Sequence, residues 1–279
     1  MKTLRGKLLL GWMTKKEALA FLTGEAVPPL AEEEAIKLWE SYCQRVAALG
    51  NRGCQKPANA AHNLKEKLAA DRIVKASRKN GERNVKGLIK VDPLNLVVHQ
   101  LRIFEERAEP YVDLVSDPIT KVKTCLPPLP VGRQLPTKRV GGKTIIELPH
   151  GEFRIVPGPN KKLEIQELAH HVAINAFDDR LLLWAGYHRT YAVTLASQAN
   201  PEEIERLVPA VLTTDADDAF LCALAGFSEK RDMVRGACPA LFRDFFDPDL
   251  CLSINLRKQR RQIESDLTQT SMVWVDDDS

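Results

Sequence analysis

Long apolar runs are missing from this sequence. The longest, such as Leu8 to Leu10 and Leu181 to Ala185, fall far short of the roughly 20 residues that span a bilayer, so no membrane-spanning helix is expected. Lys2, Arg5 and Lys7 precede Leu8, but Lys15 and Lys16 interrupt before an apolar signal core or cleavage site develops, and no secretion signal is read. CxxC pairs are also missing. Cys43, Cys54, Cys125, Cys222, Cys238 and Cys251 stand singly, which excludes a zinc ribbon or a thioredoxin-type redox motif. They read as free, mostly buried thiols, and the expected compartment is the reducing cytoplasm. An excess of one charge is absent as well: the net charge is +3, with 44% hydrophobic and 28% charged residues, which excludes a disordered or fibrous class.

The charge that is present is unevenly placed. From Arg45 to Lys90 there are twelve Lys/Arg against Glu66, Asp71 and Glu82, whereas Pro201 to Leu250 carries eleven Asp/Glu against five Lys/Arg. The first stretch would attract a polyanion such as DNA or RNA and the second would repel it. No zinc finger or RNP-like aromatic motif accompanies the basic stretch, so base-specific readout has no support.

Length favours one domain with additions, or two domains. Periodicity predicts helices over Thr14 to Phe21, with Thr14 and Glu17 as a capping box, over Ala31 to Leu49, and over the basic stretch Ala58 to Ser77. Aliphatic and β-branched runs begin near Lys86, with strands expected at Leu88 to Val91 and Leu96 to Ile103. The prolines and glycines between Pro127 and Gly142 suggest a long connector. Thr144 to Leu148 and Glu152 to Val156 suggest a hairpin around Pro149-His150-Gly151. Then come strands at Val172 to Ala176 and Arg180 to Ala185, helices at His188 to Ser197 and Pro201 to Leu207, and a strand at Val208 to Thr213. Short helices are expected within Asp217 to Arg235, and edge strands at Cys251 to Leu256 and Met272 to Val275. The expectation is an α+β fold in three parts: a basic helical extension over 1–86, a mixed-sheet domain over 87–215, and a C-terminal addition over 216–279.

The chemistry concentrates where Leu181-Leu182-Leu183-Trp184-Ala185 runs through Gly186 into Tyr187-His188-Arg189. A strand that enters a helix through a glycine presents unpaired backbone N–H groups, which bind anions. Gly186 lets the backbone approach a ligand. Arg189 can grip a phosphate or carboxylate with two hydrogen bonds, and His188 can donate or accept near neutral pH. The plainer reading is that Gly186 ends a strand, Tyr187 packs, and Arg189 pairs with a surface carboxylate.

Gly186-Tyr187-His188-Arg189, with Ala192 and then Pro209-Ala210-Val211-Leu212, resembles the phosphate-binding segment of the ParB/sulfiredoxin superfamily. ParB proteins carry Gly-Glu-Arg-Arg there, followed by a Val-Pro-Ala-Ile-Val strand. Sulfiredoxins carry Gly-Cys-His-Arg, and the related serine kinases a Gly-His-His-Arg type of turn. The resemblance covers Val172 to Thr213. It implies a ParB/sulfiredoxin-like fold in which Gly186, Tyr187, His188 and Arg189 bind phosphate, with a nucleoside triphosphate and Mg as the implied ligand. The family's upstream nucleotide contacts would fall on Gln100 and Arg102. Tyr187 stands where sulfiredoxins have their cysteine nucleophile, which argues against sulfinic-acid reduction. It also stands where ParB has a glutamate that helps hold metal and nucleotide.

Other candidates carry less. His170 and His171, adjacent on a strand, point to opposite faces and would not share a metal. Asp178-Asp179 reads as a turn. Nothing in their spacing selects Glu164 or Glu167 as a general base. The functional expectation is a protein that binds a nucleotide or another phosphorylated ligand at the Gly186 turn, with hydrolysis or phosphoryl transfer as the conceivable reactions and no catalytic residue identified. The alternative is a non-catalytic nucleic-acid-binding or regulatory protein that uses Arg45 to Lys90.

Overall fold

The computed structural model describes residues 2–52, 62–63, 85–127, 137–140, 143–147, 153–157, 163–167, 171–177, 179–214, 234–265 and 270–276. Its class is α+β, as expected, with helices set against mixed and antiparallel sheets. The chain begins with a strand, β1 (Thr3–Leu8), rather than the helix expected of the first segment. Its residues alternate between exposed and buried, and Leu4 and Leu8 point into the core. Helix α1 (Lys15–Leu19) follows, and Thr14 caps it through the expected reciprocal pair with Glu17. A π-helical turn over Ala20–Glu25 leads towards α2 (Glu32–Ala47). Glu32, Glu33 and Glu34 lie in the first turn of α2, where carboxylates favour the positive helix end.

The basic stretch departs from its expected helix at His62–Asn63, which form a short strand, β2. These residues pair with β3 (Val85–Val91), His62 opposite Lys90 and Asn63 opposite Ile89. A ladder partner distant in sequence here overrides local helical periodicity. The rest of the expected helix lies outside the described residues. The single strand expected over Leu96 to Ile103 is two strands, β4 (Val97–Val98) and β5 (Arg102–Phe104), and they belong to different sheets. Two helices follow that periodicity did not reveal: α3 (Glu105–Val112) and α4 (Pro118–Cys125). The start of α4 is written in the sequence, since Asp117 accepts from the Thr120 amide at 2.7 Å and Pro118 occupies the first turn, the position proline favours.

Strand β6 (Thr137–Val140) lies within the expected connector and pairs with β7 (Lys143–Glu147), Val140 opposite Lys143. The two residues between them are Gly141-Gly142, a two-residue hairpin signal. The hairpin expected between residues 144–148 and 152–156 is not formed. Instead β8 (Phe153–Pro157) pairs with β9 (Leu163–Glu167), and β7 pairs with a strand near the end of the chain, Gln259–Ser265. The expected Asp-Asp hairpin does form, between β10 (Ala173–Phe177) and β11 (Arg180–Ala185), with Phe177 opposite Arg180. Helix α5 (Tyr187–Ala199) comes next, and then β12 (Val208–Thr214). The helix expected from Pro201 is only a turn, held by Glu203 and Ile204 amides on Asn200 O. Pro209 forces Val208 to be extended, and the window left is too short to nucleate a helix. The chain closes with β13 (Leu252–Arg257), β14 (Gln259–Ser265) and β15 (Thr270–Asp276). Most of Asp217 to Arg235 lies outside the described residues.

The central sheet has the order β2-β3-β12-β10-β11-β4, with β10 parallel to β12 and β11 parallel to β4. A three-stranded sheet, β13-β1-β5, joins the two ends of the chain. Leu8, Leu9 and Leu10, Ile103, Ile174, Leu183, Val193, Phe242 and Leu256 belong to one buried cluster. The cluster takes residues from each of the three expected segments. A smaller cluster of Val97, Phe177, Leu182, Val234 and Leu241, with Trp184 against it, lies apart from that core. No helix among the described residues is long and apolar enough to cross a membrane.

Candidate functional site

Gly186 is the N-cap of α5 and has φ +87, in the left-handed region. A Cβ there would lie 2.8 Å from both Cα and Cγ2 of Val172. Both conformation and space therefore require glycine. The first hydrogen bond within the helix is Thr190 N to Gly186 O at 2.9 Å. The amides of Tyr187, His188 and Arg189 precede it and have no acceptor inside the helix. No side chain caps this end, and its first turn contains no acidic residue. A thirteen-residue helix thus begins with its positive end uncapped by a side chain and with no acidic residue in its first turn.

The side chains of the turn divide. Tyr187 is buried, and its ring serves the fold. Its hydroxyl donates to Leu183 O at 2.7 Å and accepts from the amides of His99 at 3.0 Å and Gln100 at 3.2 Å. Burial pushes its phenol pKa upward, so the hydroxyl keeps its proton across the neutral range. Replacing Tyr187 with Phe is expected to cost about 2–3 kcal/mol in denaturant-induced unfolding, because two amides and a carbonyl lose a buried partner. A loss under about 0.5 kcal/mol would show that other groups can take its place. His188 also faces inward: Nε2 accepts from the Phe104 amide at 3.2 Å, and the ring stacks on Phe104.

Arg189 is the remaining polar side chain of the turn. Its guanidinium lies 5.4 Å from the centre of the Tyr111 ring, a cation–π contact. Among the described residues it forms no ion pair and no hydrogen bond. The carboxylate partner that the plainer reading would supply is thus not among them. Cys125 feels its charge and that of Lys121, yet burial dominates and pushes the thiol up to about 12. A thiol so protonated is not a nucleophile. Lys121 is itself buried and donates to Glu205 O at 2.8 Å. Neither Tyr111 nor Cys125 could have been joined to Arg189 from the sequence, which carries no spacing signal between them.

The two upstream candidates are engaged within the protein. Gln100 Nε2 donates to Arg102 O at 2.7 Å. Arg102 pairs with Glu25 at 2.9 Å and lies against the Phe21 and Phe104 rings. The structure therefore brings Gln100 to Tyr187 by its backbone and leaves Arg102 bound elsewhere. Several cations of the basic stretch are likewise occupied: Arg45 bonds to Asp249 O, Arg52 to Asp244, and Lys90 to Glu205. His171 is buried, while His170, Asp178 and the side chains of Glu164 and Glu167 lie outside the described residues. Among the described residues no group of three or more His, Cys, Asp and Glu is arranged to hold a metal ion.

The class defined by fold and site is thus an α+β protein with a glycine-initiated, uncapped central helix. No family model, no curated protein and no solved structure matches the chain.

Proposed function

We propose that the Gly186 turn binds the phosphate group of a small ligand, with nucleotides the first class to test. The observation that carries this reading is Arg189, a half-buried guanidinium in the first turn of an uncapped helix, which lies over the Tyr111 ring and forms no ion pair or hydrogen bond among the described residues. Helix amides and a fork of guanidinium donors together complement a tetrahedral anion. Gly186 and the backbone of Tyr187 and His188 would admit the anion, and Arg189 would grip it. The strand, glycine, helix and following strand come in the order that the resemblance to the ParB/sulfiredoxin superfamily implies for a phosphate-binding segment. The proposal concerns binding, because among the described residues no carboxylate bonds to the turn as a general base would.

The test is a thermal-shift titration with CTP, ATP, ADP and GTP, each with and without magnesium, on the wild type and on Arg189→Ala. The variant alone should be as stable as the wild type within about 1 kcal/mol, since it loses one cation–π contact. A ligand that stabilises the wild type should bind the variant about 10- to 100-fold more weakly, the equivalent of a charge-assisted hydrogen bond or pair. Unchanged affinity in Arg189→Ala would overturn the assignment of the site to this turn.

A further inference from the structure

We propose that the first turn of α5 is a clasp on the segment joining the two sheets, with Tyr187 as its permanent half and His188 as a half released by acid. The segment runs from β4, which ends the six-stranded sheet, to β5, an edge strand of the three-stranded sheet. Where a chain leaves one sheet for another, its amides lose ladder partners and need others. Val98 N still finds Ala240 O at 3.0 Å. The next two amides, of His99 and Gln100, both go to Tyr187 Oη, and the Phe104 amide goes to His188 Nε2. Two adjacent side chains on one helical turn thus hold two amides of the crossover and the last amide of β5.

The halves differ in chemistry. A backbone N–H can only donate, so Nε2 of His188 must accept, which requires an imidazole unprotonated at that nitrogen. The imidazolium presents N–H to N–H and cannot keep the bond. The Phe104 bond is therefore present above the histidine titration range, near pH 6.5 for an ordinary imidazole, and is lost as pH falls through it. The Tyr187 hydroxyl does not titrate there. Among the described residues, the charged groups around the His188–Phe104 stack are Arg102 and Arg107, both over the Phe104 ring at 4.8 and 4.5 Å, Glu25 paired with Arg102, and Glu105 beside Phe104. Glu105 is shared among Tyr191, Arg5 and Lys7. On the helix itself the next charge is Arg189, over Tyr111. On acidification β5 is freed from α5 while the β4 end of the crossover stays held.

The test is amide hydrogen exchange by NMR on the full chain between pH 7.5 and 5, with rates referred to intrinsic exchange, alongside the imidazole titration of His188. In the wild type the Phe104 amide should lose about tenfold in protection as His188 protonates, the equivalent of one hydrogen bond. His99 Nδ1 lies 3.1 Å from the Tyr187 hydroxyl, so the decisive comparison is His188→Gln, which leaves that second imidazole in place. Its amide oxygen accepts at every pH, and the Phe104 profile should become flat, while His188→Phe should exchange fast throughout. A flat wild-type profile would overturn the clasp, and so would the wild-type profile persisting in His188→Gln. If variants fold poorly, the wild type still decides: midpoints of the Phe104 amide shift and the His188 ring that differ would refute the assignment.

Discussion

Arg52→Ala is expected to destabilise the protein by about 3–5 kcal/mol, because it strands a buried carboxylate. The guanidinium nitrogens of Arg52 donate to the two oxygens of Asp244 at 2.6 and 2.7 Å, with the side chains 9% and 1% exposed. Asp244 also accepts from the Leu241 amide at 2.8 Å. The Arg52 backbone amide reaches Ala237 O, and its guanidinium approaches the Trp12 ring. One side chain thus ties the residues after α2 to the turn Phe242–Phe246, whose two end phenylalanines and Phe245 line the core. The unfolding midpoint should fall by about 10 °C, given a few degrees per kcal/mol for a chain near this size. The double variant Arg52→Met with Asp244→Leu should recover most of the loss, since it leaves no uncompensated charge. It should stay about 1 kcal/mol short because the Leu241 amide has lost its acceptor. Similar losses in the single and double variants would show that packing, not the ion pair, holds this corner.

Arg52 also marks where the sequence misleads. Read in line with its neighbours, it is one cation of a basic stretch, and nothing local signals an aspartate nearly two hundred residues away. What was legible was local. The Thr14 and Glu17 capping box needs only three residues to specify it. The β10–β11 hairpin, the glycine and the start of α5 are each fixed by turn chemistry within a few positions. The same locality explains the failures. β1 pairs with β13 at the other end of the chain, and no pattern in Thr3–Leu8 identifies that partner. Helix α3 carries Pro110 and only a narrow apolar face, so its periodicity is faint. At the site, Gly186 and Arg189 could be chosen because glycine and arginine have restricted uses. Tyr187 and His188 could not be assigned a direction, because a tyrosine or histidine in a first helical turn serves a ligand or the core equally well. That choice was made by the amides of His99, Gln100 and Phe104, which needed acceptors.

Gly186→Ala should cost about 2–5 kcal/mol, the sum of about 1–2 for placing a side chain in the left-handed region and about 1–3 for overpacking. The second part depends on whether Val172 can move away. It is held on both sides: its amide donates to Cys125 O and its carbonyl accepts from the Val211 amide, each at 2.8 Å. The added methyl meets backbone Cα as well as Cγ2, so a change of rotamer does not relieve it. Gly50 supplies the control. It has φ +65 but nothing within 4 Å of a built Cβ, so Gly50→Ala carries the conformational penalty of about 1–2 kcal/mol alone. Denaturant unfolding of both variants with equal m-values separates the two effects, and the excess loss at Gly186 measures the contact with Val172. A difference below about 0.5 kcal/mol would mean that the turn yields to a side chain. The backbone at the start of α5 would then be too pliant to present preorganised amides to an anion. A difference of about 1–3 kcal/mol would mean that Val172, just before β10, holds the turn rigidly, the condition under which its amides and Arg189 can grip a phosphate together.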